Sequence, residues 1–471
     1  MSESTTADVR PSSVVMLRQS DDPNSRDSSG TDSERQSWWN VSAPKAAREP
    51  RSGAELALLG VQALLVAALP VALLVAALHS ANRALPFFFS AGAALAGAEF
   101  TWLAYRVALR LYLPFLLHQK QTCRDMYKQI MTYSVDLDTC AVTPLAERAL
   151  GGRKRATALL LALVAAGAGL AVPLLLALEP VVAAYSAMSA FLGVYCAALA
   201  PSLPDGAVLL ARFGYYFVAS LNVVMTVDGS PPAAGDTEAR AGGRDAADAR
   251  GSVLNEPLTL EPFALALGTA GLMLLCRVLT SKDAMQSTVF VLLDITGLVY
   301  LGAVATVLGY FARAAAAYHA TADGTAAGGL LLALFVVAWS SELGSYLTER
   351  VLKFVDYPWN HPLAARVSSR QNVETLVGAL AGGVAATFVV AEYVNLHMAT
   401  GLAACAAAGA VLASQVCKLL LLSLKKVAQV AVTGEYLSVG GGVLDRVDTV
   451  LFMAIVLCPI FEHQLRLDAM L

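Results

Sequence analysis

The sequence predicts an all-α, polytopic integral membrane protein with about ten to eleven transmembrane helices. Of its 471 residues, 57% are hydrophobic and only 15% are charged, whereas about a quarter of the residues in a soluble domain are charged. The mean hydropathy is +0.59. Apolar runs of roughly 17 or more residues recur along the chain, and such runs are long enough to cross the hydrocarbon core of a bilayer.

Composition divides the chain into four predicted regions. Residues 1–52 are polar and rich in Ser, Asp, Arg and Pro, which predicts a disordered cytosolic tail. Residues 53–227 form an N-terminal transmembrane region that contains a basic cytosolic loop, 118–155. Residues 228–258 form a Gly/Asp/Arg/Pro-rich loop that we predict to be disordered. Residues 259–471 form the C-terminal transmembrane domain.

The individual spans are predicted from the apolar runs. They lie at about 55–81, 85–117, 156–178, 181–203, 206–227, 259–281, 287–312, 326–347, 375–394, 397–424 and 449–464. The second run carries Glu99 and Arg106, and the run at 206–227 is the weakest of the set.

Basic residues predict the orientation, because they are retained on the cytosolic side of a membrane. Three basic residues within 45–51 precede the first span, and the loop 118–155 lies two spans later, so both are predicted to be cytosolic. With eleven spans, the polar segments 348–374 and 425–448 fall on the same side. We therefore expect one cytosol-facing polar site, built from the C-terminal helices.

The most informative polar stretch joins the last two spans. Lys425 and Lys426 end one apolar run, and a glycine run leads to Asp445-Arg446-Val447-Asp448 at the start of the next. Ionisable residues at this depth face an interior or a water-filled cavity. Lysines bind phosphates, paired acids bind divalent cations, and glycines let a ligand approach the backbone. This combination predicts a membrane-embedded enzyme that acts on phosphates, and the net charge of −3 argues against a nucleic-acid partner.

Three stretches, in order and at suitable spacing, carry a family resemblance. Glu342-Leu343-Gly344-Ser345-Tyr346 resembles D-T-G-A-Y at the end of a span. The segment from Arg366 to Thr375 resembles R-I-S-P-K-K-T-x-E-G. The segment from Ser414 to Asp448 resembles S-x-x-G-D-x-x-E-S-x-x-K-R followed by P-G-H-G-G-x-x-D-R-x-D. Over roughly residues 285–465 the chain thus resembles the phosphatidate cytidylyltransferase (CDP-diacylglycerol synthase) family, as a divergent member.

The resemblance implies that CMP is transferred from CTP to the membrane lipid phosphatidate, giving CDP-diacylglycerol and pyrophosphate, with Mg²⁺ as cofactor. It implies catalytic roles for Asp445, Asp448, Lys425, Lys426 and Arg446, and metal ligation by Asp445, Asp448 and Glu342. It implies substrate binding by Arg366, Ser368, Arg370, Glu374, Gly441, Gly442 and Tyr346. It is also compatible with a homodimer. The long polar N-terminal tail and a cytosol-facing site suit the endoplasmic reticulum membrane, with the N-terminus in the cytosol.

Departures from the family pattern leave other functions open. Lys418 stands where the family has an aspartate, and an ammonium group cannot ligate a cation. Leu421 replaces a glutamate, Ala431-Val432 replaces a K-D pair, and Gly440 replaces a histidine. The alternatives are a non-catalytic relative that binds lipid or nucleotide, a CTP-dependent lipid or polyprenol kinase, and a transporter or channel. A transporter would place its charges near the bilayer midplane on broken helices.

Overall fold

The structure is a computed structural model. It describes residues 85–119, 140–228, 262–281, 284–319, 326–357, 361–364, 367–393, 398–430, 433 and 442–468. All of them belong to one compact unit, Leu59–Leu471. The predicted tail 1–52, the predicted span 55–81, most of the loop 118–155 and the loop 228–258 lie outside the described residues.

The described residues form eleven helices and one short hairpin. The helices of the first half are α1 (Leu85–Gln119), α2 (Thr143–Ala149), α3 (Lys154–Leu175), α4 (Pro180–Ala198) and α5 (Leu203–Asp228). Those of the second half are α6 (Pro262–Thr280), α7 (Ala284–His319), α8 (Ala326–Phe354), α9 (Val373–Tyr393), α10 (Thr400–Ala428) and α11 (Leu444–Asp468). An antiparallel hairpin of β1 (Pro362–Ala364) and β2 (Ser368–Asn372) separates α8 from α9.

Eight of the described helices are long and apolar enough to cross a membrane: α1, α3, α4, α6, α7, α9, α10 and α11. The prediction of an all-α, polytopic membrane protein is confirmed. The weak run at 206–227 is a continuous helix, α5, whose inner face carries the buried residues Asp205 and Arg212. These two charged residues weaken its hydropathy without interrupting the helix.

Glycines bring α8 and α9 into close contact. A Cβ added at Gly344 of α8 would collide with the carbonyl oxygen of Gly378 on α9, and one at Gly382 would collide with the carbonyl oxygen of Ser340. Small residues at such positions let helix backbones approach each other in a bilayer, where apolar side chains gain nothing by leaving the lipid. This contact fixes the part of α8 that carries Glu342.

A buried charge network joins α5, α6 and α7. Arg277 Nε donates to Asp294 Oδ2 at 2.6 Å, and Arg277 Nη2 lies 2.7 Å from Asp205 Oδ1. Arg212 Nη2 lies 3.7 Å from Asp294 Oδ1 and donates to the Thr101 hydroxyl of α1 at 2.9 Å. The network contains two acids and two arginines, so its formal charge is zero. It therefore neutralises these buried charges and fixes how α1, α5, α6 and α7 pack.

Asp294→Asn is expected to lower the free energy of unfolding by about 3 kcal/mol, because it leaves the buried guanidinium groups of Arg277 and Arg212 with one counter-ion fewer. The measurement is the thermal unfolding midpoint of the purified protein in detergent. Lys353→Ala is the matched control, since it breaks an exposed ion pair with Glu349 on α8, and exposed pairs contribute little. Equal midpoints for the two variants would contradict a stabilising role for the network.

Candidate active site

Polar side chains from α8, α10 and α11 meet in one place. Lys418 Nζ of α10 donates to Glu342 Oε1 of α8 at 2.9 Å. The Thr449 hydroxyl of α11 lies 2.9 Å from the same oxygen and 3.2 Å from Asp448 Oδ1. Glu342, Lys418, Asp448 and Thr449 are called the Lys418 cluster below. Asp448 is only 3% exposed, whereas Lys418 and Glu342 are 22% and 41% exposed, so the cluster runs from the interior towards the surface of the bundle.

An ion pair joins the end of α10 to the start of α11. Lys425 Nζ lies 2.5 Å from Asp445 Oδ1, and both side chains are largely buried. The other oxygen of Asp445 accepts from the backbone N–H groups of Thr433 at 3.2 Å and Gly442 at 3.3 Å. Asp445 thus binds Lys425 near the end of α10 and two backbone amides of the segment between α10 and α11.

The end of α10 places this lysine. Gln429 adopts the left-handed conformation, with φ of 55°, just after the helix. Its backbone N–H donates to the Lys426 carbonyl at 3.2 Å, and the N–H of Val430 donates to the Lys425 carbonyl at 3.1 Å. These bonds satisfy helix-terminal carbonyls and turn the chain sharply. Positive side chains in this last turn are also stabilised by the helix dipole.

Glu99 of α1, to which the sequence gave no role, contacts the segment that leads into α11. Its side chain is buried and accepts backbone N–H groups of Val443 at 2.9 Å and Leu444 at 2.8 Å. It also accepts the hydroxyl of Thr433 at 3.1 Å. An acid in the middle of an apolar span is itself a sign of function, and that sign was visible in the sequence. Its partners were not, because they lie more than 300 residues further along the chain.

Gly442 is a glycine because its neighbours leave no room for a side chain. A Cβ there would collide with Thr433 Oγ1 and Glu99 Oε2. From the sequence, a substrate was expected to approach this backbone. In the structure, the group that approaches Gly442 is the carboxylate of Glu99.

Two predicted binding residues contact partners other than the Lys418 cluster. Tyr346 is 50% exposed, and its hydroxyl accepts a hydrogen bond from Arg350 Nε at 2.9 Å. Glu374, at the start of α9, lies 2.7 Å from His361 Nδ1 at the base of the hairpin. The segment between α8 and α9, where substrate binding was expected, therefore contains a two-stranded hairpin that is held at its base by this pair.

Five predicted residues cannot be placed in full. Arg366 and Gly441 lie outside the described residues. Ser368 and Arg370 are described only as backbone of β2, and Arg446 only as backbone of α11. Lys426, the remaining predicted catalytic residue, is exposed on the last turn of α10, next to Lys425.

The three carboxylates predicted to ligate a metal do not converge. Within the described residues, no group of three or more His, Cys, Asp or Glu side chains could hold a metal ion. Asp445 pairs with Lys425, while Glu342 pairs with Lys418 in the cluster that also contains Asp448. The donor set therefore does not fit a complete, protein-built magnesium site. It leaves room only for an ion that arrives with substrate phosphates as most of its ligands, which is how Mg²⁺ usually binds.

A comparison with models of protein families identifies the family to which the chain belongs. The model of the cytidylyltransferase family matches residues 61–463. The chain belongs to the cytidylyltransferase family. No curated protein matches it closely enough to be counted as a relative.

Family membership makes this protein a membrane-embedded nucleotidyltransferase at the family level. The matched range covers α1 to α10 and most of α11. It is much longer than the segment of roughly 285–465 on which the motif resemblance rested. Glu99 thus lies inside the family region, and so does the charge network of α5, α6 and α7.

Gly442→Ala is expected to lower activity at least tenfold, because the added Cβ would displace either Glu99 or Thr433 from the start of α11. The measurement is the rate of cytidylyl transfer per folded protein. Gly409→Ala on α10 is the matched control, since a Cβ there would meet only Val456 at an ordinary 3.8 Å. A fully active Gly442→Ala variant would show that the close approach to Glu99 is not needed.

Proposed function

We propose that the protein transfers CMP from CTP to phosphatidate and so produces CDP-diacylglycerol and pyrophosphate. The observation that carries the proposal is the meeting of lysines and acids from α8, α10 and α11, in a bundle built of membrane-length helices. The acyl chains of phosphatidate can reach such a site from the bilayer. Its phosphate and a nucleotide can reach the polar side.

The chemistry requires positive charge. A phosphate oxygen of phosphatidate attacks the α-phosphorus of CTP, a new P–O bond forms, and the bond to the β-phosphate oxygen breaks to release pyrophosphate. Both reactants are anions, so their encounter and the charge on the leaving group must be neutralised. Electrostatic positioning of this kind supplies most of the catalysis in phosphoryl transfer.

The lysines are proposed to provide this charge. Lys425 is held by Asp445 where α10 leads into the segment before α11, and Lys426 is exposed beside it. Arg446 follows Asp445 directly in the sequence and is proposed to contact the same phosphates. Lys418 adds a fixed cation between Glu342 and the region of Asp448.

Magnesium is proposed to enter with the triphosphate of CTP. Asp448 and Glu342 are the carboxylates that would complete its coordination, since both border the Lys418 cluster. When bound, the ion would neutralise charge on the phosphates. Lys418 is itself a permanent cation, so we propose that it supplies part of the positive charge that a second metal ion would otherwise bring.

The cellular setting is part of the same proposal. We place the protein in the endoplasmic reticulum membrane, with the N-terminus and the site facing the cytosol, where CTP is available. The basic residues ahead of the first span support this orientation. A homodimer remains a prediction from the family resemblance.

A non-catalytic relative that binds lipid or nucleotide is the second candidate. It is favoured by the ion pairs themselves, because Asp445 and Glu342 each lie against a lysine of the protein. In this case the paired charges would only stabilise the bundle, and any bound ligand would not react.

An assay with CTP and phosphatidate in liposomes distinguishes the two candidates. We expect magnesium-dependent formation of CDP-diacylglycerol with equimolar pyrophosphate. Asp448→Asn is expected to reduce it at least hundredfold at unchanged protein yield, because the carboxylate proposed to complete the coordination of magnesium is lost. Binding of CTP or phosphatidate without product, at any magnesium concentration, would favour the non-catalytic candidate.

Lys418→Met is expected to lower kcat by about a hundredfold, because a preorganised cation that stabilises transition-state charge contributes on this scale. Lys418→Arg keeps the charge and should retain most of the activity. Raising the magnesium concentration should restore part of the loss in Lys418→Met and change the arginine variant little. Wild-type activity in Lys418→Met would remove this residue from the mechanism.

A further inference from the structure

Glu99 lies in an apolar interior, where a carboxylate is stable only if other groups compensate for its lost hydration. It sits near the middle of the 35-residue helix α1 and is 1% exposed. A buried carboxylate is stable only when it is paired or hydrogen-bonded. Here the compensation comes from three donors of one distant segment: the amides of Val443 and Leu444 and the hydroxyl of Thr433.

Two of these donors, the amides of Val443 and Leu444, lie at the start of α11. The first turn of a helix has backbone N–H groups without intrahelical partners and carries the positive end of the helix dipole. A nearby Ser, Thr, Asp or Asn usually satisfies such groups. In α11 the acceptor comes instead from another helix, 344 residues earlier in the chain than Val443. The position of the first turn of α11 therefore depends on α1.

That first turn carries residues of the proposed site. Asp445 follows Leu444 directly and pairs with Lys425, and Asp448 comes one turn later within the Lys418 cluster. Gly442 has no side chain and so admits the Glu99 carboxylate. Any shift of α11 against α1 would move both aspartates relative to the lysines of α10.

We propose that Glu99 is a positioning residue for cytidylyl transfer, which fixes the start of α11 so that Asp445 and Asp448 meet the lysines of α10. The kinetic test of this role rests on the proposed function, because it measures cytidylyl transfer. One consequence is specific to this arrangement. Because Glu99 occupies the amides of Val443 and Leu444, these amides do not bind substrate phosphates, which are held by side-chain cations instead.

The first test does not depend on activity. Backbone hydrogen exchange at Val443 and Leu444 should be at least tenfold faster in Glu99→Ala than in the wild type, with a smaller increase in Glu99→Gln. Thr101→Val is the matched control: Thr101 is also buried on α1, but it binds Arg212 and not α11. It should leave exchange at both amides unchanged, even where it lowers the unfolding midpoint.

The second test is kinetic. In Glu99→Gln, kcat per folded protein is expected to fall about a hundredfold with a smaller change in the KM for CTP, because a displacement on the ångström scale costs this much without removing a substrate contact. Thr101→Val should keep both constants below its unfolding temperature. An inactive wild type would refute the proposed function, while the exchange experiment would still test Glu99.

Three outcomes would overturn the inference. The first is wild-type protection of both amides in Glu99→Ala. The second is wild-type kcat in both Glu99 variants of an active enzyme. The third is an equal loss of kcat in Thr101→Val, which would assign the effect to general stability of α1.

Discussion

Buried charge is the constraint on which the rest of this structure depends. A charged group inside an apolar bundle costs several kcal/mol unless a partner compensates it. The partners here come from different helices: Asp294 for Arg277, Lys425 for Asp445, and backbone amides of α11 for Glu99. Because each partner can be reached in only one packing arrangement, the charges select that arrangement among helices whose apolar surfaces are chemically alike.

Two groups of charged residues use this constraint differently. The network around Arg277, which joins α5, α6 and α7, is electrically balanced, and its members are deeply buried. Such a network holds helices but offers no net charge to a ligand. On α10 and α11 the charged groups reach from buried Asp448 to partly exposed Lys418 and exposed Lys426. This gradient places lysines where anionic substrates can reach them, and Glu99 joins α1 to the start of α11.

Lys418 illustrates how the site departs from a simple magnesium cage. An ammonium group beside Glu342 uses the negative charge that a divalent cation would otherwise require. Replacing a metal ion by Lys418 is electrostatically reasonable, since the lysine supplies a positive charge and needs no coordinating ligands. It also means that the acids cannot be assigned roles from their motif positions alone, because what each oxygen contacts depends on its neighbours in space.

Much of the fold was predictable from the sequence, because the apolar runs and their lengths follow from the solvation of single segments in a bilayer. The family resemblance could also be inferred from the sequence, because it rests on short motifs in a fixed order. The same motifs indicated Lys425, Asp445 and Asp448 as site candidates. The tertiary structure alone decided which charges meet. Glu99 was visible as an unusual acid, yet its partners near residue 443 could not be inferred, and Tyr346 turned out to contact Arg350 rather than the Lys418 cluster. The physical reason is that helix formation depends on neighbouring residues, whereas pairing of buried charges depends on how distant helices pack.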